Sequence, residues 1–363
     1  MIGGALDIDM RRININGIRG NEILAKDVYS EFDTILMPVG TIIKREYKER
    51  LKDLNITHIF IEDEVSEGVK TEEIIEIQIK EECQRTVRET LDKFIQCGNS
   101  ELKKIKEVAE KIIYDLLEQP EIIYNMSGVR EKNEDVYAHC INVSGLAVFI
   151  ALKMKLSKEK INDIAVGSLL HDIGYKFIKN NLTEANYEEL SEKDKKELKM
   201  HVVYGYSAVE YETWISKSAK EIILSHHEKI DGSGYPRNLK NDKLKLSTNI
   251  VAVCDAFDRK VYGIFTKPMK VHEVIEYIVG QGGKKYDMDI VKVFNDSVAA
   301  YPNGTIVLTN EDEIGIVLRQ NASCPTRPVI RMLKDSDGKT YRKWAEKDLI
   351  KELTLFIVDT IEE

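Results

Sequence analysis

The chain has 363 residues, 43% hydrophobic and 32% charged, with a formal net charge of −9. That length predicts two or three domains with ample buried core, and the acidic balance argues against binding a nucleic-acid polymer, which needs a basic face. No apolar run approaches the roughly 18 to 20 residues that span a bilayer, and the start, MIGGALDIDMRR, lacks the basic-then-apolar order of a signal peptide.

The expectation is therefore a cytoplasmic protein that engages no membrane. The five cysteines (Cys83, Cys97, Cys140, Cys254, Cys324) form no CxxC and are odd in number, which fits reduced thiols.

Residues 1–66 read as a small α+β domain: RRININ, TILMPVGTII and HIFIED are strand-like and enclose a helix-like KREYKERLKDL, with Gly17, Gly20, Pro38 and Gly40 as turns. Residues 67–134 read as a helical linker. In EEIIEIQIKEECQRTVRETLDKFI apolar residues recur at three- and four-residue steps between acids and bases, as on an amphipathic helix. Its heptads are too few to require a coil, so a homodimer is compatible with the pattern and not demanded by it. Residues 135–296 carry apolar helical runs (VYAHCINVSGLAVFIALKM, INDIAVGSLLHDIG, KEIILSHHE, TNIVAVCDAFD, VHEVIEYI). Residues 297–363 switch to GTIVLTN, EIGIVLRQ and RPVIRML, strands of a β-rich C-terminal extension, with DSDGKT as a hairpin turn. The fold class expected is mainly α.

Five of the seven histidines fall between His139 and His227. Asp135 and His139 are four apart, a spacing that puts both on one helical face. His171 and Asp172 end an apolar run before Gly174, His201 stands between, His226 and His227 close another run, and Asp255 lies on IVAVCDAFD. Burying so many ionisable groups without a cation would be very costly. Mixed imidazole and carboxylate donors suit iron, manganese, zinc or nickel over calcium or magnesium. More ligands are present than one ion needs, so at least two are expected, and a two-ion site implies hydrolysis at phosphorus.

HDIG at 171–174, HHEKIDGSGYP at 226–236 and DAFD at 255–258 together resemble the HD-GYP domain, a branch of the HD phosphohydrolases. The resemblance covers roughly residues 100–296 and implies an HD-type helical bundle at 135–296. The first 65 residues resemble a small domain often found ahead of it, and the C-terminal segment resembles its usual extension. The family hydrolyses cyclic di-GMP to linear pGpG and often onward to GMP. The resemblance makes His139, His171, Asp172, His201, His226, His227 and Asp255 metal ligands, with Asp172 bridging and Asp135 placed for a third ion. Two or three divalent transition-metal ions follow, iron or manganese first. Asp172 and His201 are the expected catalytic residues, and Gly234, Tyr235 and Pro236 the loop beside the substrate.

The sequence departs from the family where phosphate should be gripped. Tyr175 stands where a lysine usually follows HDIG, with Lys176 one residue late, and Ile264 stands where an arginine is expected, with Lys267 as a remaining phosphate contact. Val202 replaces a usual proline. Two other readings therefore stay open beside a cyclic di-GMP phosphodiesterase: a phosphohydrolase on another cyclic dinucleotide or nucleotide, and a weakly catalytic cyclic-dinucleotide sensor. Glu228 reads either as a group orienting a ligand or as a solvated charge. His58 and His272 read as surface or packing residues.

Overall fold

A computed structural model describes residues 9–29, 35–54, 56, 58–69, 75, 77–97, 101–118, 136–179, 187–341 and 343–361. These residues fall into two compact units, one built from residues up to 69 together with those from 298, the other from 75–118 together with 136–297.

The helical unit begins with two amphipathic helices, α2 (Ile77–Cys97) and α3 (Lys104–Glu118). On α3 the buried Ile105, Val108, Ala109, Ile112 and Leu116 recur at three- and four-residue steps, so one apolar stripe faces inward, with Asp115 buried beside it. The next helix, α4 (Val136–Lys153), is buried from Tyr137 to Ala151 on every side, as a central helix must be. It packs against α5 (Lys158–Leu170), whose start is capped by Ser157 accepting the amide of Lys160.

Around this pair lie α6 (Glu192–Lys199), α7 (His201–Val209), α8 (Lys217–Ser225), α9 (Leu246–Tyr262), α10 (Val271–Gly280) and α11 (Met288–Asn295). Phe257 of α9 and Phe294 of α11 meet edge to face with ring centroids 5.1 Å apart. Gly263 ends α9 in the left-handed region at φ 72°.

In the other unit, β1 (Arg11–Asn14), β5 (His58–Glu62) and β2 (Ile23–Leu24) form an antiparallel sheet in that order, β3 (Val28–Tyr29) pairs with β4 (Ile35–Met37), and α1 (Tyr47–Asp53) covers them. Alternation along β1 and β5 sends Ile13, Ile59 and Ile61 inward onto Leu24, Ile43 and Leu51. The C-terminal strands β6 (Ile306–Thr309), β7 (Ile314–Arg319), β8 (Val329–Lys334), β9 (Glu346–Asp348) and β10 (Ile357–Ile361) make a second antiparallel sheet, ordered β10-β6-β7-β8-β9. The DSDGKT segment turns as expected: the Asp335 amide donates to the Lys339 carbonyl, and Gly338 sits at φ 77°. Val69 packs into this sheet against Ile306, Ile316 and Leu318, and Arg331 donates to the Glu67 carbonyl. Among the described residues no helix is long and apolar enough to cross a membrane.

Candidate metal centre

Five helices deliver the chemistry-bearing side chains to one place. His139 lies on α4, His171 and Asp172 at the end of α5, His201 at the start of α7, His226 and His227 at the end of α8, and Asp255 on α9. Asp172, His201, His226 and His227 form one group able to hold an ion, and His139, His171 and Asp255 form another. His139, His171, His201 and His226 are each at most 1% exposed.

The outer nitrogens show which atoms face the centre. Nδ1 of His171, His201 and His226 donates to the backbone carbonyls of Ser168, Leu198 and Ile223 at 2.6, 2.7 and 3.0 Å. Nδ1 of His139 donates to Asp258 Oδ2 at 2.6 Å. A carbonyl or carboxylate only accepts, so each Nδ1 carries a proton, and a ring with that single proton turns a bare Nε2 inward. Those lone pairs then confront each other in twos: His139 and His171 Nε2 are 3.1 Å apart, His201 and His226 Nε2 3.3 Å apart. Two acceptors at that distance repel unless a cation lies with them. In the metal-free protein a proton can serve: burial works to lower the His171 pKa, but Asp172 outweighs it and holds the ring well above its usual value.

Asp172 divides its carboxylate between the pairs. Oδ2 is 3.5 Å from His139 Nε2 and 3.3 Å from His171 Nε2, whereas Oδ1 is 3.3 Å from His201 Nε2 and 3.6 Å from His226 Nε2. Asp255 behaves similarly, with Oδ1 3.1 Å from His139 Nε2 and Oδ2 3.4 Å from His227 Nδ1. Among the described residues, Asp172 Oδ1 and His227 Nε2 are buried without a hydrogen-bond partner. Buried polar atoms are ordinarily paired. This donor set of imidazoles and shared carboxylates fits divalent ions bound side by side.

Two glycines set the close approaches. A Cβ on Gly174 would lie 1.8 Å from the His201 carbonyl oxygen, so only glycine lets the turn after Asp172 touch α7. A Cβ on Gly234 would lie 2.4 Å from Glu228 Cα and 2.5 Å from the His227 carbonyl oxygen. Gly234 therefore folds its loop back over the His226–His227 corner, and the Tyr235 ring lies 4.7 Å from that of His227 at a 31° tilt. The following Tyr235–Pro236 peptide is cis. Glu228 is neither a solvated charge nor bonded to a ligand: it is fully buried, and its oxygens accept the Arg237 amide at 2.7 Å and the Leu239 amide at 2.9 Å. It fastens the loop.

The remaining candidates lie elsewhere. Asp135 falls outside the described residues. Lys176 turns away from the cluster, its ammonium 2.7 Å from Asp92 of α2 and 4.7 Å over the Tyr137 ring. Lys267 is exposed on the loop after α9 and makes no hydrogen bond or ion pair among the described residues. Tyr175 is buried and stacks on His201, centroids 4.1 Å apart at 13°. Burial pushes its phenol well above the usual range, so it stays neutral.

Two residues escaped the sequence reading. Asp258, the last residue of DAFD, buttresses His139. Arg259 places Nε 2.6 Å from Asp255 Oδ1 and Nη2 2.7 Å from Asp172 Oδ2, with its side chain 12% exposed. Burial works against charge on both aspartates, yet the Arg259 guanidinium offsets it and holds each carboxyl well below its ordinary range. Asp255, Asp258 and Arg259 stand at i, i+3 and i+4, one face of α9; the spacing was visible, but it is also that of any surface ion pair.

Comparison with known proteins adds to this geometry. The HD domain family matches residues 103–290, and a KOW domain associated with the HD domain matches 306–363. The chain is 23% identical over 234 residues to the cyclic di-GMP phosphodiesterase PA4108 of Pseudomonas aeruginosa, covering 64% of this chain and 56% of that protein. It is 31% identical over 209 residues to a cyclic di-GMP phosphodiesterase of Thermotoga maritima, covering 54% and 56%. The chain thus spans little more than half the length of these relatives. Bd1817, an HD-GYP-type protein from Bdellovibrio bacteriovorus, shares the fold with a TM-score of 0.50 at 19% identity, over 79% of this chain and 99% of its own.

Proposed function

Because the chain belongs to the HD-domain family, we propose that it is a metal-dependent phosphodiesterase that opens cyclic di-GMP to linear pGpG, with GMP as the product of a second cleavage. The observation that carries this reading is the pair of confronted Nε2 couples with one Asp172 oxygen turned to each. Two divalent ions held there, iron or manganese, would supply Lewis acidity to a phosphate and acidify a water.

The chain's own residues do the rest. Asp172 spaces the two halves of the centre and His201, pinned between the Leu198 carbonyl and the Tyr175 ring, keeps Nε2 aimed at it. Tyr235 and Pro236 form a wall beside His227 that orients a base or sugar and keeps water out. Gly234 gives that wall its close approach. Asp135 and Lys267 remain in the proposal as a further carboxylate ligand and a phosphate contact. Catalysis is assigned to residues 135–296, with 1–66 and 297–363 as accessory domains and 67–134 as linker. The setting is cytoplasmic, in keeping with the free thiols of Cys83, Cys140, Cys254 and Cys324.

A specific observation favours a second reading of the substrate. Lys176 is committed to Asp92, so the phosphate grip expected after HDIG is missing and another cyclic dinucleotide could be preferred.

The test is product analysis. Protein loaded anaerobically with Fe(II) or Mn(II) is incubated with cyclic di-GMP and with a panel of other cyclic dinucleotides, and linear products are resolved by chromatography. Asp172→Ala is expected to lose metal and turnover together, because both halves of the centre use that carboxylate. Full metal content and rate in Asp172→Ala would sink the assignment. Turnover of a different panel member alone would favour the second reading.

A further inference from the structure

Arg259 is the unusual cation of this centre. It reaches back one helical turn to Asp255 Oδ1 and across to Asp172 Oδ2. Those are the two oxygens that face His139 and His171. The other half is not so engaged: Asp172 Oδ1, turned to His201 and His226, has no hydrogen-bond partner among the described residues. The guanidinium is held in place by more than charge, lying 5.8 Å from the Tyr175 ring centroid and 5.7 Å from that of Phe265.

We propose that Arg259 is a tethered cation that competes with metal for the His139–His171–Asp255 half of the centre, so that the two halves load unequally and in order. This rests on the metal-centre reading above. A first ion takes His201, His226, His227 and Asp172 Oδ1, where no positive side chain stands on the oxygen. The second meets two carboxylate oxygens already shared with a fixed positive charge, and the guanidinium must yield part of its hold before they can ligate fully. Once displaced, Arg259 stays tethered beside the ions on α9. Occupation of the second position then depends on free metal concentration, which makes the two-ion state conditional on metal supply.

The experiment is a Mn(II) titration of metal-stripped full-length protein, followed by calorimetry and by the electron paramagnetic resonance signal of free and spin-coupled manganese. Wild type is expected to bind in two unequal steps. Arg259→Ala should leave the first step unchanged and tighten the second about tenfold or more, the scale on which partners of metal-ligating groups act. Arg259→Gln keeps a polar group of similar reach without the charge and should also tighten it, which guards against a loss of folding in the alanine variant. A second step unchanged or weakened in both variants overturns the proposal, since the guanidinium would then merely orient the carboxylates. No manganese bound by any of the three proteins would overturn the metal-centre reading itself.

Discussion

Substituting Gly174 by alanine tests the link between backbone approach and site geometry. The added Cβ would fall 1.8 Å from the His201 carbonyl oxygen, 2.6 Å from its carbon and 2.7 Å from the Gly205 amide nitrogen. Cβ atoms essentially never come within 3.0 Å of such backbone atoms, so the turn and α7 must separate by at least about 1.2 Å, and a close-packed interior transmits such a shift. His201 opens α7, so its Nε2 moves with that backbone. Metal–ligand distances tolerate about 0.2 Å, and misplacement of reacting groups by about 1 Å can cost roughly 100-fold in rate. Overpacking of this kind typically costs about 1–3 kcal/mol, which in a unit of this size lowers Tm by about 2–4 °C per kcal/mol. The assay combines a thermal melt, metal content after dialysis and turnover of the cyclic dinucleotide. Gly280→Ala is the control: a Cβ there meets nothing within 4 Å, and stability should hold or rise by up to about 1 kcal/mol. Wild-type melting, metal content and rate in Gly174→Ala would refute the argument that this contact sets the His201 position.

Asp258→Asn removes the charged acceptor on His139 Nδ1 and should weaken metal binding by about 10- to 100-fold, read by competition with a chelator. Glu228→Gln replaces a carboxylate that accepts two backbone amides with a group whose amide end cannot accept; losing a charge-assisted bond costs about 1.5–3 kcal/mol. Its expected mark is a raised KM through a loosened Tyr235 loop, with metal content intact, checked by steady-state kinetics beside metal analysis. In the other unit, burial, then Arg12, lowers the His58 pKa to about 4. The unfolded chain therefore takes up that proton first as pH falls, so the stability is intact above about pH 6.5 and is lost toward pH 4 at no more than about 1.4 kcal/mol per pH unit. Denaturant melts followed at β5 across that window should flatten in His58→Gln.

The mainly helical class was legible because periodicity is a local property: α2 shows its apolar repeat in the chain itself, and α4 stands out as a long, mostly apolar run. His139, His171, His226 and Asp255 stood out for a related reason, since each closes or interrupts an apolar run where a polar group is out of place, whereas His201 opens one and carried less signal. What could not be read is partnership at a distance. Lys176 pairs with Asp92, 84 residues earlier, and nothing near either residue encodes it. Arg259 was hidden by an ordinary disguise, an i,i+4 ion pair with Asp255, because the sequence does not say whether that pair faces solvent or an interior. Glu228 was undecided between two roles and has a third, because its two partners are backbone amides that carry no side-chain signal. Asp135 lies outside the described residues.

The unit that unites the two ends of the chain has a consequence for biosynthesis. Arg331 bonds to the Glu67 carbonyl across 264 residues of sequence, and Val69 completes a cluster with Ile306, Ile316 and Leu318. A ribosome adding about 5–20 residues per second therefore leaves the N-terminal segment without its C-terminal partners for tens of seconds. The helical segment emerges whole within that interval. Its folding first would shorten the flexible loop that the later closure must span, and closing a loop of that length costs roughly 5 kcal/mol in chain entropy. Order of emergence thus favours a helical unit that matures before the C-terminal sheet that completes the other unit.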